Sequence, residues 1–281
     1  MKDRRVMTTP IVAFANHKGG TGKSTITLQT AYYLAQRAGI PDGKRILVVD
    51  FDPQGNTSTR LTRMDDLSDL GGTRTAELFN PDLAEVVPVA TQSGADLIYS
   101  LKNDLELDDI ELEDLSVFQH PQKHIRKLAA SGKYAAILLD CPPARSRKLI
   151  AALTSATNII VPVEVSGFAR DGLEGLIRSV EIARQVNEDI EISGVVINKY
   201  SSRSDRHRRE KGRLKEALGD LLMDERLSFR TPIDEANCEA IPIWSMSKGS
   251  ARTAAKEVKL VCEEIIARTG IQLAKKVSKK R

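Results

Sequence analysis

A loop rich in glycine and lysine, residues 16–25, carries the most specific chemistry in the sequence. It reads Asn-His-Lys-Gly-Gly-Thr-Gly-Lys-Ser-Thr and lies between an apolar run, 11–15, and a helix-compatible segment, 24–37. Strand, glycine-rich turn and helix in this order are typical of a phosphate-binding loop, because the glycines let backbone N–H groups turn inward and the helix adds its positive end. Lys23 is placed to reach the β- and γ-phosphates of a nucleotide, and the Ser24 hydroxyl to bind Mg²⁺. The alternative is a generic flexible turn.

Acidic residues end two further apolar runs. Residues 45–50 end at Asp50 and continue Phe-Asp-Pro-Gln-Gly-Asn, while residues 134–140 end at Asp140 and continue Cys-Pro-Pro. An acid at the carboxyl end of a parallel strand points into the crevice where ligands bind in open α/β sheets. Transfer of a phosphoryl group to water also depends on holding the water in line, which gives a carboxylate at such a place a physical role. Outside such a context, an Asp-Phe-Asp-Pro turn is most often a helix cap.

A second lysine at the start of the loop separates it from the ordinary pattern G-x-x-x-x-G-K-[ST]. That pattern requires glycine at position 17, where this chain has His17, followed by Lys18. Together with the two acidic motifs, the loop resembles the deviant Walker motif of the ParA/MinD group of P-loop ATPases. Over roughly residues 10–270 the chain is similar to the ParA/Soj partition ATPases. The resemblance implies that Lys18 crosses a dimer interface to the nucleotide of the opposite subunit.

The resemblance also implies roles for the polar residues of the site, with ATP and Mg²⁺ as ligands. Lys18, Lys23 and Asp52 would be catalytic, Asp52 orienting or activating the attacking water of a weak, Mg²⁺-dependent ATPase. Asp50 and Asp140 would support the Mg²⁺ shell, Asp140 through a water, together with Ser24. Asn198 is a candidate contact to adenine, although a capping role explains it nearly as well. The residues expected to bind nucleotide are Gly19, Gly20, Thr21, Gly22, Lys23, Ser24, Thr25 and Asn198.

The implied fold class is α/β, a mostly parallel twisted sheet with helices on both faces. Further strands are expected at 86–91, 95–100, 157–163 and 190–198, and helices at 167–186 and 250–268. We expect one P-loop ATPase domain over residues 1–270 and a flexible basic tail over 271–281. Only about ten residues precede the first strand, so we expect the short form of the family, without an N-terminal helix-turn-helix domain.

Composition limits the class of protein. The 281 residues are 41% hydrophobic and 28% charged, as is ordinary for a soluble globular protein. No apolar run approaches the roughly 20 residues that span a bilayer, and the three cysteines form no C-x-x-C pair. We therefore expect a cytoplasmic protein with reduced thiols. The absence of paired cysteines also argues against relatives that carry or assemble iron–sulfur clusters.

Charge is unevenly distributed along the chain. Between residues 199 and 215 there are eight basic residues and only two acids, which is typical of a surface that binds polyanions, although a solvated helix face is an alternative. The region after Pro232, where relatives often carry a further arginine, is acidic here. Residues 103–114 hold seven acids, interpreted as a solvated face or a partner-docking surface. The candidate DNA-binding residues are Arg203, Arg206, Arg208, Arg209, Lys211 and Arg213.

The function expected from the resemblance is ATP-dependent DNA partition. ATP binding would drive formation of a sandwich homodimer that binds double-stranded DNA without sequence preference and associates with the nucleoid. A ParB-like centromere-binding partner would stimulate hydrolysis and reset the cycle. The alternatives are a ParA-like ATPase that positions a protein cargo and, less favoured, a MinD-like ATPase that associates with membranes. The apolar residues near the C-terminus are few, so no membrane partner is expected.

Overall fold

An eight-stranded, mostly parallel sheet forms the centre of the molecule in a computed structural model, which describes residues 9–165, 169–247 and 249–274. The strand order is β3-β4-β2-β5-β1-β6-β7-β8, and only the β3–β4 pair is antiparallel. This confirms the predicted fold class. The strands are β1 Ile11–Phe14, β2 Arg45–Asp50, β3 Val89–Ala90, β4 Ala95–Ile98, β5 Tyr134–Asp140, β6 Asn158–Glu164, β7 Glu191–Tyr200 and β8 Leu222–Ser228.

Helices cover both faces of the sheet because its central strands are apolar on both sides. In β1, Ile11 and Ala13 belong to one apolar core, whereas Val12 and Phe14 belong to the other. Side chains of α4, α5 and α6 complete the first core, and those of α1, α8 and α9 the second. The helices are α1 Lys23–Gln36, α2 Asn56–Thr62, α3 Leu105–Asp109, α4 Gln119–Ala130, α5 Arg147–Ser155, α6 Ala169–Arg184, α7 Asp205–Leu218, α8 Thr231–Cys238 and α9 Gly249–Thr269.

The topology brings three loops to one place. β1, β2 and β5 are neighbours and parallel, and Asp50 lies directly opposite Asp140 in the register of β2 and β5. The loops that follow these strands therefore meet at the carboxyl edge of the sheet, as ligand sites of open α/β sheets do. β7 lies two strands from β1, separated from it by β6.

Several elements differ from the sequence-based expectation. The strand expected at 86–91 is only Val89–Ala90, and β7 continues two residues beyond Asn198 to Tyr200. β8 was not anticipated, because its charged centre, Asp224 to Arg226, interrupts the apolar pattern at the open edge of the sheet. The basic residues of the expected tail, 275–281, lie outside the described residues. No helix in the described part of the chain is long and apolar enough to cross a membrane.

Candidate nucleotide-binding site

The phosphate-binding loop ends at Gly22, which adopts φ 98° and ψ 22° and directly precedes the first turn of α1. This left-handed conformation favours glycine. Lys23 follows and is 94% buried, with its Nζ donating to the carbonyl oxygen of Lys18 at 3.2 Å. Burial lowers the pKa of Lys23, while the nearby carboxylates of Asp140 and Asp52 oppose that shift. The lysine is thus held beside the loop, and no carboxylate among the described residues forms a salt bridge with it.

Strand β7 fixes the outer side of the loop. Asn198 Nδ2 donates to the carbonyl oxygen of Thr21, and Lys199 Nζ donates to that of Gly20, both at 2.9 Å. The C=O and N–H of a trans peptide point in opposite directions. Holding these two carbonyls toward β7 therefore turns the N–H groups of Thr21 and Gly22 away from it, which is the arrangement that binds phosphate oxygens.

The side chain of Lys199 spans two elements. Its Nζ also lies 2.8 Å from Oε1 of Glu164, at the end of β6. Lys199 has φ 54°, an unusual conformation for a residue with a side chain. Asn198, predicted to contact adenine, instead uses its side chain on Thr21 and on the N–H of Lys199 in this structure. Its predicted contact to the base stays a prediction.

His17, the residue that departs from the ordinary loop pattern, packs into α6. Its Nε2 lies 2.9 Å from Oγ of the buried Ser179, and its carbonyl accepts from the N–H of Ala144 at 2.8 Å. A Cβ atom on Gly175 would lie 2.6 Å from His17 Nδ1, so α6 needs glycine there. Burial, followed by the charges of Arg145 and Lys23, lowers the pKa of His17. The neutral ring thus joins the phosphate loop to α6 and to the loop after Asp140.

Two carboxylates at the ends of β2 and β5 are completely buried. Asp50 accepts from the N–H and hydroxyl of Ser58 and from the N–H of Asp52. Asp140 accepts from the hydroxyl of Thr57 at 2.6 Å and from that of Ser24. Burial is the main cause that raises the pKa of Asp50 well above its usual range and that of Asp140 to about 6. Asp50 therefore anchors the start of α2, whereas Asp140 holds the loop serine predicted to bind Mg²⁺.

Asp52 lies between the phosphate loop and α2. One of its oxygens accepts from the N–H of Gln54 at 3.0 Å, and the side chain lines the candidate cavity. Burial raises the pKa of Asp52, while the Gln54 N–H and the charge of Lys23 lower it. The geometry thus brings together Lys23, Asp50, Asp52 and Asp140 around the loop, as the sequence predicts.

A cavity of about 280 Å³ opens over the loop. One wall is the phosphate loop, and the opposite wall comes from the end of β8 and the start of α8, neither of which was predicted to belong to the site. Pro232, near the start of α8, was a usable signal because proline favours the first helical turn. The lining residues outside the loop are Asp52, Asn56, Pro143, Asn198, Lys199, Ser228, Phe229, Arg230, Ile233 and Asp234.

The donors in this cavity fit a nucleotide with Mg²⁺. Ser24 at the cavity and the buried Asp140 that accepts from its hydroxyl supply the hard oxygen atoms that Mg²⁺ prefers, and Mg²⁺ commonly takes its remaining ligands from phosphates and water. Inward N–H groups and Lys23 suit the phosphates. Thr25 faces α8, since its hydroxyl accepts from Asn237 Nδ2 at 3.0 Å. Among the described residues, no group of three or more His, Cys, Asp or Glu could hold a metal by itself.

Lys18 and Cys141 take different positions around the loop. Lys18 is half-buried, and its N–H donates to Asn16 Oδ1 at 3.0 Å. Cys141 is completely buried, and burial raises the pKa of its thiol. A buried protonated thiol is a poor nucleophile.

The predicted DNA-binding residues lie on or just before α7. Leu214 and Leu218 pack this helix against the core, so Arg206, Arg209 and Arg213 share the opposite, solvent-facing side. Arg208 pairs with Asp205, and Arg213 with Glu210. Lys211 is half-buried, and burial lowers its pKa. No described acid pairs with Arg203, Arg206 or Arg209, which leaves three exposed cations on or just before α7.

Comparisons with known proteins agree with this geometry. A family profile described as "AAA domain" matches residues 9–192. The chromosome partitioning protein ParA of Caulobacter vibrioides is 29% identical over 240 residues, 83% of this chain and 85% of that protein. Two solved structures share the fold. A complex of Cyanothece McdA(D38A) with ATP has a TM-score of 0.74 at 19% identity and covers 95% and 98% of the two chains. Pyrococcus horikoshii MinD with Mg-ADP has a TM-score of 0.65 at 20% identity, covering 91% and 95%.

The family profile covers well over half of the chain and spans the phosphate loop, Asp52 and Pro143, whereas the lining residues from Asn198 onward lie beyond it. The chain therefore belongs to the AAA-domain family and, within it, is a ParA/Soj-type member of the ParA/MinD group of P-loop ATPases.

Proposed function

We propose that the protein is an ATP-dependent DNA partition ATPase. The observation that carries this proposal is the placement of an arginine-bearing helix, α7, directly after the strand that holds the phosphate loop. The similarity to a relative named as a chromosome partitioning protein also supports a role in partition. Nucleotide binding and a polyanion-binding face are thereby joined in one structural unit.

ATP and Mg²⁺ are the proposed ligands of the cavity. The N–H groups of the loop and Lys23 hold the phosphates, and Ser24 with Asp140 provides the metal side of the site. Asp50, at the end of β2, supports this side through its hydrogen bonds with Ser58 at the start of α2. When bound, Mg²⁺ supplies positive charge that offsets the charge on the transferring phosphoryl group. Asp52 orients the attacking water, because it is the one of the three carboxylates that lines the cavity.

Lys18 provides the proposed link between subunits. In the ATP-bound state it reaches the nucleotide of a second copy, so that ATP closes a sandwich homodimer. Dimerisation doubles the number of α7 faces that can contact DNA phosphates on one molecule, and two linked sites bind far more strongly than one. Contacts from arginines to phosphates carry no sequence preference. A centromere-binding partner then stimulates hydrolysis and releases the dimer from the nucleoid in the cytoplasm.

Co-sedimentation with DNA tests this proposal. Wild-type protein is mixed with random-sequence duplex DNA and ATP, ADP or no nucleotide. We expect binding only with ATP and a decrease of affinity with salt. The triple variant Arg203→Ala, Arg206→Ala, Arg209→Ala should lower the salt slope by about 0.9 for each DNA phosphate that the variant no longer neutralises.

The matched control replaces cations that already have acidic partners. Arg208 pairs with Asp205 and Lys215 lies 4.0 Å from Asp224, so Arg208→Ala with Lys215→Ala should change DNA binding less. Equal binding with ATP and with no nucleotide would contradict the proposed function. Equal effects of the two sets of variants would move the DNA surface away from the outer face of α7.

A further inference from the structure

The acidic segment recognised in the sequence is not simply a solvated face. Leu107 and Ile110 anchor it in the core, while Asp104 at the start of α3 accepts from the N–H of Leu107 and of Leu101, both at 3.0 Å. The N–H of Asp104 donates to the carbonyl oxygen of Pro53 at 2.9 Å. We call residues 104–111 the acidic bracket. One end of the acidic bracket is thus hydrogen-bonded to Pro53, the residue that follows Asp52.

The other end of the acidic bracket is bonded to α5. Both carboxylate oxygens of Glu111 accept from the N–H of Arg147, at 2.9 and 3.0 Å, and one also from that of Lys148 at 3.4 Å. A carboxylate at this position satisfies N–H groups of the first turn and complements the helix dipole. Because α5 begins directly after the loop that follows Asp140, the bracket bridges the two loops that border the phosphate site.

Lys148 completes this bridge from inside the protein. Its side chain is only 5% exposed, and its Nζ lies 2.9 Å from Asp108 Oδ1 and 3.3 Å from Glu111 Oε1. A buried ammonium is costly unless it is paired, so its position is dictated by these two carboxylates. The charge of Lys148 lowers the pKa of Asp52, whereas the charge of Asp108 raises it. The ion pairs are therefore close enough to the candidate water-orienting carboxylate to affect it.

We propose that Lys148, held by Asp108 and Glu111, is a positioning residue for Asp52 and couples the loop after Asp52 to the loop after Asp140. The inference rests on the proposed function, because it assumes that Asp52 orients the attacking water. Neither residue of the Lys148–Glu111 pair lines the nucleotide cavity, so the bridge acts on the arrangement of the loops and not on nucleotide affinity. Misplacement of a catalytic group by about 1 Å can reduce turnover about 100-fold.

Steady-state ATPase assays with ATP-binding titrations test the inference. Lys148→Met should lower kcat at least tenfold while the Kd for ATP stays within twofold of wild type. Lys148→Arg keeps the charge and should restore most of the turnover. Glu111→Gln retains an acceptor for the N–H groups of α5 but loses the charge, and Asp108→Asn alters a half-exposed partner; both should give intermediate kcat values. Glu113→Gln changes an exposed acid just beyond the bracket and should behave as wild type.

Three outcomes would overturn the inference. The first is a kcat for Lys148→Met within twofold of wild type, and the second is an equal loss of turnover in Glu113→Gln and Glu111→Gln. The third is a loss of ATP affinity as large as the loss of kcat. If Lys148→Met does not fold, as judged by its thermal transition, Asp108→Asn and Glu111→Gln decide alone. The variant Asp52→Asn is assayed in parallel. If it turns over ATP at the wild-type rate, the proposed role of Asp52 is refuted. If Asp52→Asn is inactive while Lys148→Met is fully active, only the inference about Lys148 is refuted.

Discussion

Replacing Gly22 with alanine tests the described geometry of the phosphate loop directly. An added Cβ would lie 2.1 Å from Asn198 Nδ2 and 3.1 Å from its Cγ, and the residue would keep φ 98°. Gly20 is a matched control because it also has a positive φ, 76°, but a Cβ there would meet no atom within 4 Å. The difference between the two variants therefore isolates the contact with Asn198 from the backbone cost.

The expected loss of unfolding free energy is the sum of the backbone cost and the cost of displacing Asn198. A left-handed conformation costs an L-residue about 1–2 kcal/mol, which both variants share. Gly22→Ala must also displace Asn198, which is 95% buried, from its hydrogen bond to Thr21. Breaking such a bond leaves a buried acceptor without a donor and costs about 1–3 kcal/mol. We expect Gly22→Ala to lower the free energy of unfolding by roughly 2–5 kcal/mol and Gly20→Ala by about 1–2 kcal/mol.

Denaturant unfolding without nucleotide measures this difference, and ATP titration measures its effect on the site. The additional 1–3 kcal/mol corresponds to a ratio of about 5–150 between the unfolding equilibrium constants of the two variants. In a double-mutant cycle, Asn198→Ala should cost little in the Gly22→Ala background, because the clashing atoms are then gone. Equal stability and equal ATP affinity of the two glycine variants would refute the packing of Asn198 against Gly22.

Three further perturbations address other parts of the molecule. Asp52→Asn should retain ATP binding and ATP-dependent DNA binding but reduce phosphate release at least 100-fold; phosphate release at the wild-type rate would contradict its role with water. Lys18→Ala should bind ATP yet remain a monomer in light scattering, and a dimer of normal affinity would exclude the proposed contact between subunits. The hydrogen bonds of Arg230 and Ser228 lower the pKa of Glu257 despite its partial burial. Its contribution to stability is thus present above the unfolded pKa of about 4.3 and is lost as the pH falls through the folded value. Glu257→Gln should accordingly reduce the unfolding free energy at pH 7 and approach wild type as the pH falls below the folded pKa, and a difference that stays constant with pH would contradict the assignment.

Local patterns in the sequence were sufficient for the centre of the sheet and for the loop. Both faces of the central strands are covered, so these strands appear in the sequence as continuous apolar runs. Such short runs favour strands over helices, as is the case for β1, β2, β5 and β6. The glycine spacing before Lys23 and the acids that end β2 and β5 place the main polar groups of the site.

Contacts between distant residues could not be predicted in the same way. β8 carries Asp224, Glu225 and Arg226 in its centre, as an edge strand can, and this masks the strand that supplies one wall of the cavity. The side chain of Lys199 looked like part of a basic surface, yet it bonds to Gly20, 179 residues away. Glu111 looked like a solvated acid, and its role at the start of α5 depends on a contact 36 residues away.

The contact of Lys199 with the phosphate loop has a thermodynamic consequence. It joins Gly20 to β7, and α7 begins at Asp205 after a short loop. If nucleotide moves the Gly20 peptide and thereby changes DNA affinity by some factor, linkage requires DNA to change nucleotide affinity by the same factor. Where ATP raises DNA affinity, as we propose, DNA would act as an effector of the ATPase, and a dimer bound to it would hold ATP more tightly than a dimer in solution.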